Sequence, residues 1–104
     1  MPVTTLNGTE IHVNEEGFLT DSKEWTDEIG DALAAQIGIT LTDAHWNAIR
    51  FLRKDFEAQG ETATLRRVST VGGIPIKELF ALFPQKPAKK MSYVAGLPKP
   101  HGCV

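Results

Sequence analysis

A single cysteine is the residue of this sequence best suited to covalent chemistry. Cys103 stands one residue before the end of the printed chain, in the stretch GLPKPHGCV, and the sequence contains no second thiol. A cysteine acts as a nucleophile or as a sulfur acceptor in its thiolate form, whose pKa of about 8.5 is lowered by nearby cations and raised by nearby anions. Lys99 and His101 are close in sequence, whereas the carboxylate of Val104 opposes them. We therefore expect a modestly reactive thiol that a partner activates.

The stretch that carries this thiol is predicted to be a stiff arm. Pro98 and Pro100 favour an extended, polyproline-like course after Gly96, and Gly102 leaves the tip loose. The seven steps from Gly96 to Cys103 span roughly 20 Å at about 3 Å per residue. Because prolines reduce the entropy lost on docking, such an arm suits the delivery of a reactive group into a partner's active site. The alternative is that the cysteine is an incidental residue of a frayed tail.

Other chemistries fit the cysteine poorly. A structural zinc site takes four ligands, mostly cysteine and histidine, and beside His101 and Cys103 the sequence offers only His12 and His45. A cysteine–histidine catalytic pair needs a third group that orients the histidine, and a flexible tail is a poor platform for one. The sequence therefore predicts no metal and no cofactor.

A short hairpin is predicted at the start of the chain. Asn7-Gly8 tolerates the positive φ angles of a tight type I′ turn, with strands over 3–6 and 9–13 on either side. Two strands alone are marginally stable, so the hairpin must rest on other elements.

The next element is predicted to be a helix over 23–37, capped by Asp21 or Ser22 and ended by Gly38. Apolar residues recur at every fourth position of this segment: Trp25, Ile29, Leu33 and Ile37. This spacing indicates one buried face, with Trp25 in the core.

A longer helix is predicted over 42–59, capped by Thr40 or Thr42 and ended by Gly60. Its apolar stripe consists of Trp46, Ile49, Leu52 and Phe56. Trp46 is therefore also expected in the core, and His45 is expected as a hydrogen-bonded histidine of the core or its boundary.

Three shorter helices are predicted near 62–70, near 75–83 and near 87–95. Pro75 and Pro87 suit first-turn positions, where the missing N–H is not needed. The order of helix, Gly72-Gly73 turn and helix is the outline of a helix-turn-helix.

Together these elements predict a mostly α (α+β) fold: a small helical domain over 1–96 with a helix-turn-helix-like core and an N-terminal β-hairpin, followed by a flexible C-terminal arm over 97–104. A chain of 104 residues that is 41% hydrophobic can bury one core. No apolar run approaches the roughly 18 residues of a membrane span, and the first residues lack a signal-peptide pattern. A single cysteine fits a reducing compartment, so we predict a cytoplasmic protein.

Charge is divided unevenly along the chain. Residues 1–49 hold nine acids and one base, whereas residues 50–104 hold ten bases and four acids, although the net charge is only −2. The second half could present a positive surface to an acidic protein or to RNA. Equally, the two halves could attract each other within the fold.

Two stretches near the carboxyl end, LFPQKPAKK over 82–90 and AGLPKPHGCV over 95–104, resemble the DsrC/TusE family of sulfur-carrier proteins. Family members carry a similar LFP-x-x-PAK stretch, a GLPKP stretch and a penultimate cysteine. The likeness continues upstream in EEGFL (15–19), Trp25, LT-x-x-HW (41–46) and FLR (51–53), and so covers nearly the whole chain.

The resemblance implies a compact helical fold with a mobile arm whose cysteine, here Cys103, carries sulfur. Arg66 and Lys89 match basic positions of the family pattern and are expected near the base of the arm. With Lys99, Pro98 and Pro100 they form the predicted arm-docking and partner-docking set.

Two departures from the family pattern point to a branch within it. Members that serve dissimilatory sulfite reduction carry a second cysteine ten or eleven residues before the last, and Ser92 stands there in this chain. Because serine cannot form a disulfide, the single-cysteine, TusE-like branch is favoured, which passes persulfide sulfur towards 2-thiouridine in tRNA. The stretch between Arg67 and Phe80 is also shorter than in many members, which bears on partner choice.

The leading hypothesis is thus a sulfur relay protein, a carrier rather than an independent catalyst, with an upstream persulfide donor, a downstream thiolation or sulfur-metabolism enzyme and an indirect link to tRNA. A single-cysteine partner of sulfur-oxidation or sulfite-reductase-type enzymes is the first alternative. A helix-turn-helix regulator using Arg66, Arg67 and Lys77 is the second, although IPIKELFAL is too apolar for a good recognition helix. A structural subunit without thiol chemistry is the third. Neither a membrane nor DNA is the expected partner.

Overall fold

The predicted hairpin is present in the computed structural model, which describes residues 3–6 and 8–100. Strands β1 (Val3–Leu6) and β2 (Thr9–His12) pair antiparallel, with Val3 opposite His12. Gly8 lies in the turn with a φ of 80°, a conformation that glycine adopts without strain. Ile11 is fully buried and anchors the hairpin on the helices, as a two-stranded sheet requires.

The helix predicted over 23–37 begins later than expected. Ser22–Glu24 form a separate 3-10 turn, for which the Asp21 carboxylate accepts a hydrogen bond from the Lys23 N–H. Helix α1 then runs over Asp27–Gln36, and its cap is Thr26, whose Oγ1 accepts from the Ile29 N–H at 3.2 Å. The prediction was wrong for the first turn because the chain is extended at Trp25 and Thr26.

Helix α2 (Asp43–Gln59) confirms the prediction for the longest helix, with Thr42 before it and Gly60 after it in the left-handed conformation. His45 is buried, as expected. Its Nδ1 accepts from the Thr42 N–H at 3.0 Å, so Nε2 carries the proton and donates to the Leu82 carbonyl at 2.8 Å. Trp46 differs from expectation in being only half-buried at the edge of the core.

Helix α3 (Leu65–Thr70) is shorter than the predicted 62–70, because Thr64 caps it and the two preceding residues are buried in extended chain. Arg67 joins α3 to α2: its Nε and Nη2 donate to the two carboxylate oxygens of Asp55 at 2.9 and 2.8 Å. These hydrogen bonds hold the pKa of Asp55 below its ordinary value.

Helices α4 (Ile76–Leu82) and α5 (Pro87–Val94) complete the described fold. Pro87 occupies the first turn of α5 as predicted, whereas Pro75 is the residue before α4 and has an extended ψ of 141°. The core is shared by the hairpin and all five of these helices through Ile11, Leu33, Leu52, Val68, Leu79 and Met91. The expected mostly helical fold with an N-terminal hairpin is confirmed. Within the described residues no helix has the length and apolar character of a membrane span.

Candidate functional site

The point at which the predicted arm leaves the domain is held by two side chains from distant parts of the chain. Helix α5 ends at Val94, whose carbonyl accepts a hydrogen bond from Trp25 Nε1 at 2.8 Å. The next carbonyl, that of Ala95, accepts from Arg53 Nη1 at 2.6 Å. Carbonyls at a helix carboxyl end have no partner within the helix, so these two donors stabilise the end of α5.

Arg53 also links this point to the amino-terminal half. Its Nη2 donates to the Ser22 carbonyl at 2.9 Å, and its guanidinium carbon lies 4.2 Å from the centre of the Trp25 ring. Burial lowers the pKa of Arg53 from its ordinary high value. The guanidinium stays charged nonetheless, because arginine is protonated throughout the physiological pH range. We call Trp25, Arg53 and the carbonyls of Val94 and Ala95 the arm root.

Glycine is required at the position that follows. Gly96 has a φ of 72°, and a Cβ added there would lie 2.7 Å from Trp25 Cγ, closer than packed atoms approach each other. The chain therefore turns sharply at Gly96 with its backbone against the indole ring.

Residues 97–100, the first part of the predicted arm, lie against the domain. Leu97 is fully buried, and its N–H donates to the Ser92 carbonyl at 3.0 Å. Thr62 Oγ1 donates to the Pro98 carbonyl at 2.8 Å, and Pro100 is buried while Pro98 itself is exposed. The arm is thus directed by the domain for four residues beyond Gly96.

Glu16 brings two of the predicted lysines together. The Nζ atoms of Lys99 and Lys89 lie 3.5 and 3.9 Å from the same carboxylate oxygen, Oε2 of Glu16. All three side chains are well exposed, so these ion pairs are screened and weak. Arg66 does not join them: it is exposed on α3 and has no side-chain hydrogen bond or ion pair within the described part of the chain.

The predicted sulfur-carrying residue, Cys103, and the nearby His101 lie outside the described residues, and Asn7 does too. Along the chain, Cys103 is three residues beyond Pro100.

Ser92, at the position of the family's second cysteine, is completely buried in α5. Its hydroxyl donates to the Ala88 carbonyl one turn earlier at 2.8 Å. Among the described residues no three histidine, aspartate or glutamate side chains approach each other closely enough to hold a metal ion.

Sequence reasoning missed Arg53, Thr62 and Glu16. Each acts through a backbone carbonyl or a pair of lysines more than twenty residues away, and no local pattern signals such a partner. Trp25 was expected in the core, and it is, but its hydrogen bond to α5 was not foreseen.

Comparison with known proteins places this architecture in a defined class. Residues 5–104 match the family model described as DsrC like protein. The fold matches the oxidized gamma-subunit of dissimilatory sulfite reductase (DsrC) from Archaeoglobus fulgidus at a TM-score of 0.78 and 36% identity, covering 99% of this chain and 100% of that one. It matches Allochromatium vinosum DsrC at a TM-score of 0.82 and 36% identity, covering 98% and 97%.

The chain is also similar to a protein that is named TusE rather than DsrC. The chain is 35% identical to Sulfurtransferase TusE from Sodalis glossinidius, over 95% of this chain and 98% of the relative. The chain therefore belongs to the DsrC/TusE family, as its sequence motifs indicated.

Proposed function

We propose that this protein is a sulfur carrier that accepts a sulfane sulfur on Cys103 and passes it to a downstream enzyme. The observation that carries the proposal is the arm root. The domain fixes the chain as far as Pro100, and in the sequence the only thiol stands three residues further on. Membership of a family that includes relatives named sulfurtransferase supports this assignment.

The transfer conserves electrons. The Cys103 thiolate attacks the outer sulfur of a persulfide on the donor protein, so that a bond forms between Cys103 Sγ and that sulfur. The bond between the outer sulfur and the donor cysteine breaks, and the donor leaves as a thiolate. The same exchange in the opposite sense delivers the sulfur onward. The protein is therefore a carrier substrate of other enzymes and needs no cofactor of its own.

We infer that the downstream pathway is 2-thiouridine synthesis in tRNA. Ser92 supports this branch, because a buried serine at that position cannot form the disulfide or trisulfide expected of a sulfite-reductase partner. The similarity to a protein named Sulfurtransferase TusE points the same way. The partners are then an upstream persulfide donor and a downstream thiolation enzyme bound to tRNA. A reducing compartment such as the cytoplasm suits a free thiol.

Lys89, Lys99, Pro98 and Pro100 are assigned to the docking of the arm. Glu16 holds the two lysines beside each other, and Thr62 holds the backbone of Pro98. Arg66 is assigned to a partner contact instead, since its side chain is exposed away from these pairs.

A role beside enzymes of sulfur oxidation or sulfite reduction is the second candidate, favoured by the similarity to two DsrC structures. A DNA-binding role has little support. Helix α4 has seven residues, carries Lys77 next to Glu78, and turns its central residue Leu79 into the core. A reader of the major groove needs basic side chains towards the phosphates and bases.

The proposal is tested by intact mass after incubation with a persulfide-generating cysteine desulfurase and its relay partners, or with polysulfide, without reductant. We expect a gain of one sulfur atom that a thiol reagent reverses and that Cys103→Ser lacks. Ser92→Ala is the matched control. It changes the position of the second cysteine of sulfite-reductase members but keeps Cys103, so it is expected to gain sulfur normally.

The pathway is tested in a second step with persulfidated protein carrying labelled sulfur. Transfer of the label to tRNA by a thiolation enzyme would support the first candidate, and transfer only to sulfite-reductase-type enzymes would support the second. If wild type gains no sulfur although its thiol titrates as free, the carrier function is wrong.

A further inference from the structure

A cleft of about 480 Å³ opens on the side of the domain formed by the amino end of α5. Its walls come from three separate parts of the chain: Glu16, Phe18, Ile37, Gln85, Lys86, Lys89, Lys90 and Tyr93. We call these eight residues the lysine cleft. The volume is within the range of about 300–1,000 Å³ that is typical of small-molecule sites.

The cleft is positively charged after internal pairing is taken into account. It contains three lysines and one acid, Glu16, which is shared with Lys99 outside it. Lys90 donates to the Pro84 carbonyl, which is neutral, and has no ion pair among the described residues. Lys86 has no ion pair within the described ranges.

The cleft also has aromatic and apolar lining residues. Tyr93 packs edge-on against the buried Phe18 ring, with 5.7 Å between the ring centres, and Ile37 lies half-buried beside them. Burial raises the pKa of Tyr93, so the phenol is neutral at physiological pH and adds no negative charge. A flat or apolar group would find a matching surface here.

The backbone at the entrance to α5 holds a lysine in place. Gln85 and Lys86 both have positive φ angles, 59° and 52°, which residues other than glycine seldom adopt. This geometry sets Lys86 immediately before the first turn of α5, on the same cleft as Lys89 and Lys90.

We propose that the lysine cleft binds a nucleoside phosphate, with the phosphate among the lysines and the base against the half-buried ring of Tyr93. Lysine binds phosphate as a point charge, and three lysines line the cleft. The cleft is also too large for inorganic phosphate alone. The ligand is either a free nucleotide or one nucleotide of a single-stranded RNA. This inference does not depend on sulfur transfer by Cys103.

The test is a titration of the full-length protein, labelled with ¹⁵N, followed through its backbone amide resonances. The probes are inorganic phosphate, adenosine, adenosine 5′-monophosphate and a short oligoadenylate. We expect the monophosphate to shift the resonances of cleft residues saturably and to bind about tenfold more tightly than adenosine or phosphate, as one additional charged hydrogen bond or stacked base would give.

Two variants locate the binding. Lys86→Asn removes one charge while keeping a residue that tolerates a positive φ, and it is expected to weaken monophosphate binding about tenfold. Lys77→Gln removes an exposed lysine of α4 outside the cleft and is expected to leave the affinity unchanged. Raising the salt concentration should weaken binding to wild type.

Several results would overturn the proposal: no saturable shift at millimolar monophosphate, equal affinity for phosphate and monophosphate, or equal loss in the two variants. A tighter complex with oligoadenylate that displaces the monophosphate identifies RNA as the source of the ligand. A weaker complex with the oligonucleotide identifies the free nucleotide. Both of these outcomes support the cleft as a nucleoside phosphate site.

Discussion

The arm root and the exposed face of helix α4 differ in how closely the domain holds them. At the arm root, donors from Trp25 and Arg53 reach carbonyls 69 and 42 residues further along the chain. Helix α4 is anchored by the buried side chains of Leu79 and of Phe83 just after it, and by the hydrogen bond from His45 Nε2 to the Leu82 carbonyl. The neighbouring apolar side chains remain in contact with solvent: Ile76 is 43% exposed, Phe80 48% and Val71 58%.

The difference shows which part of the molecule is built for a fixed geometry. Buried, directional hydrogen bonds define both the position and the direction of the chain at the arm root, and leaving their acceptors unpaired is costly. The exposed face of α4 takes no part in its attachment through Leu79 and the Leu82 carbonyl, so a side chain on that face can be lost at little cost. The domain therefore fixes the origin of the arm closely and leaves the surface of α4 open.

Among the substitutions at the arm root, Gly96→Ala is expected to cause the largest loss of unfolding free energy. The left-handed backbone costs about 1–2 kcal/mol for any residue with a Cβ. The overlap of the new methyl with Trp25 adds about 1–3 kcal/mol. Urea unfolding of wild type and of Gly96→Ala measures the sum of these two costs.

Gly73→Ala is the matched control for Gly96→Ala. Gly73 has almost the same φ, 74°, but a Cβ there meets no atom within 4 Å. It should therefore show only the backbone cost, and equal losses in the two variants would mean that the indole does not constrain the chain at Gly96.

Arg53→Met is expected to cost about 1–3 kcal/mol of unfolding free energy, because two carbonyls lose their charged donor. Arg50→Met is the comparison, since Arg50 also lies on α2 and over a tryptophan, at 4.9 Å from the Trp46 ring centre. Its ion pair with Asp27 is exposed, so the expected loss is below about 1 kcal/mol. Similar urea midpoints for the two variants would contradict a special role of the arm root.

We expect acid to weaken the attachment of α3 to α2, because protonation of Asp55 disrupts its ion pair with Arg67. The folded-state pKa of this carboxyl lies below its ordinary value of 3.8, chiefly because of the hydrogen bonds from Arg67. Its contribution to stability is therefore complete above the ordinary pKa and disappears as the pH falls through the folded-state value. We expect the urea midpoint of wild type to fall more steeply below about pH 5 than that of Asp55→Asn.

The control for this pH dependence is Asp31→Asn, which changes an exposed aspartate of α1. It should retain the steep wild-type profile. Parallel profiles for wild type and Asp55→Asn would show that the Asp55–Arg67 pair does not contribute.

The smallest loss of unfolding free energy is expected for a substitution on the solvent-exposed face of α4. Ile76→Ala should cost less than about 1 kcal/mol, because much of this side chain is already in water. Leu79→Ala, three residues later on the same helix, should cost about 2–5 kcal/mol because Leu79 is fully buried. A large loss for Ile76→Ala in urea unfolding would mean that the face is covered in solution.

Local signals explain what the sequence predicted about the fold. Asn7-Gly8 predicted the hairpin, and the apolar periodicity with Gly60 predicted α2. The start of α1 was misplaced, because Trp25 fits the helical period yet lies in extended chain, where it reaches the end of α5. That conformation depends on a partner 69 residues away, which no local pattern contains.

For the candidate site, too, the sequence predicted the local features but not the long-range contacts. Its motif and its thiol were evident from the stretch around Cys103, whereas the anchoring contacts required the structure. The charge asymmetry had two explanations, and attraction between the halves is visible in the fold. Among the described residues, three ion pairs join an acid of residues 1–49 to a base of residues 50–104, namely Asp27–Arg50, Glu16–Lys89 and Glu16–Lys99. Lys86 and Lys90 of the lysine cleft take part in no ion pair within the described part of the chain.

The arm root also gives the molecule an optical reporter. A buried indole whose N–H is hydrogen-bonded to a carbonyl, and whose face carries a cation, emits differently from one in water. Trp25 meets all three conditions at the point where the chain turns into the arm. Its only fluorescent neighbour of the same kind, Trp46, lies 6.3 Å away and is half-buried. A Trp46→Phe background would therefore let the intrinsic fluorescence of Trp25 follow the arm's attachment in real time, without a dye on the thiol.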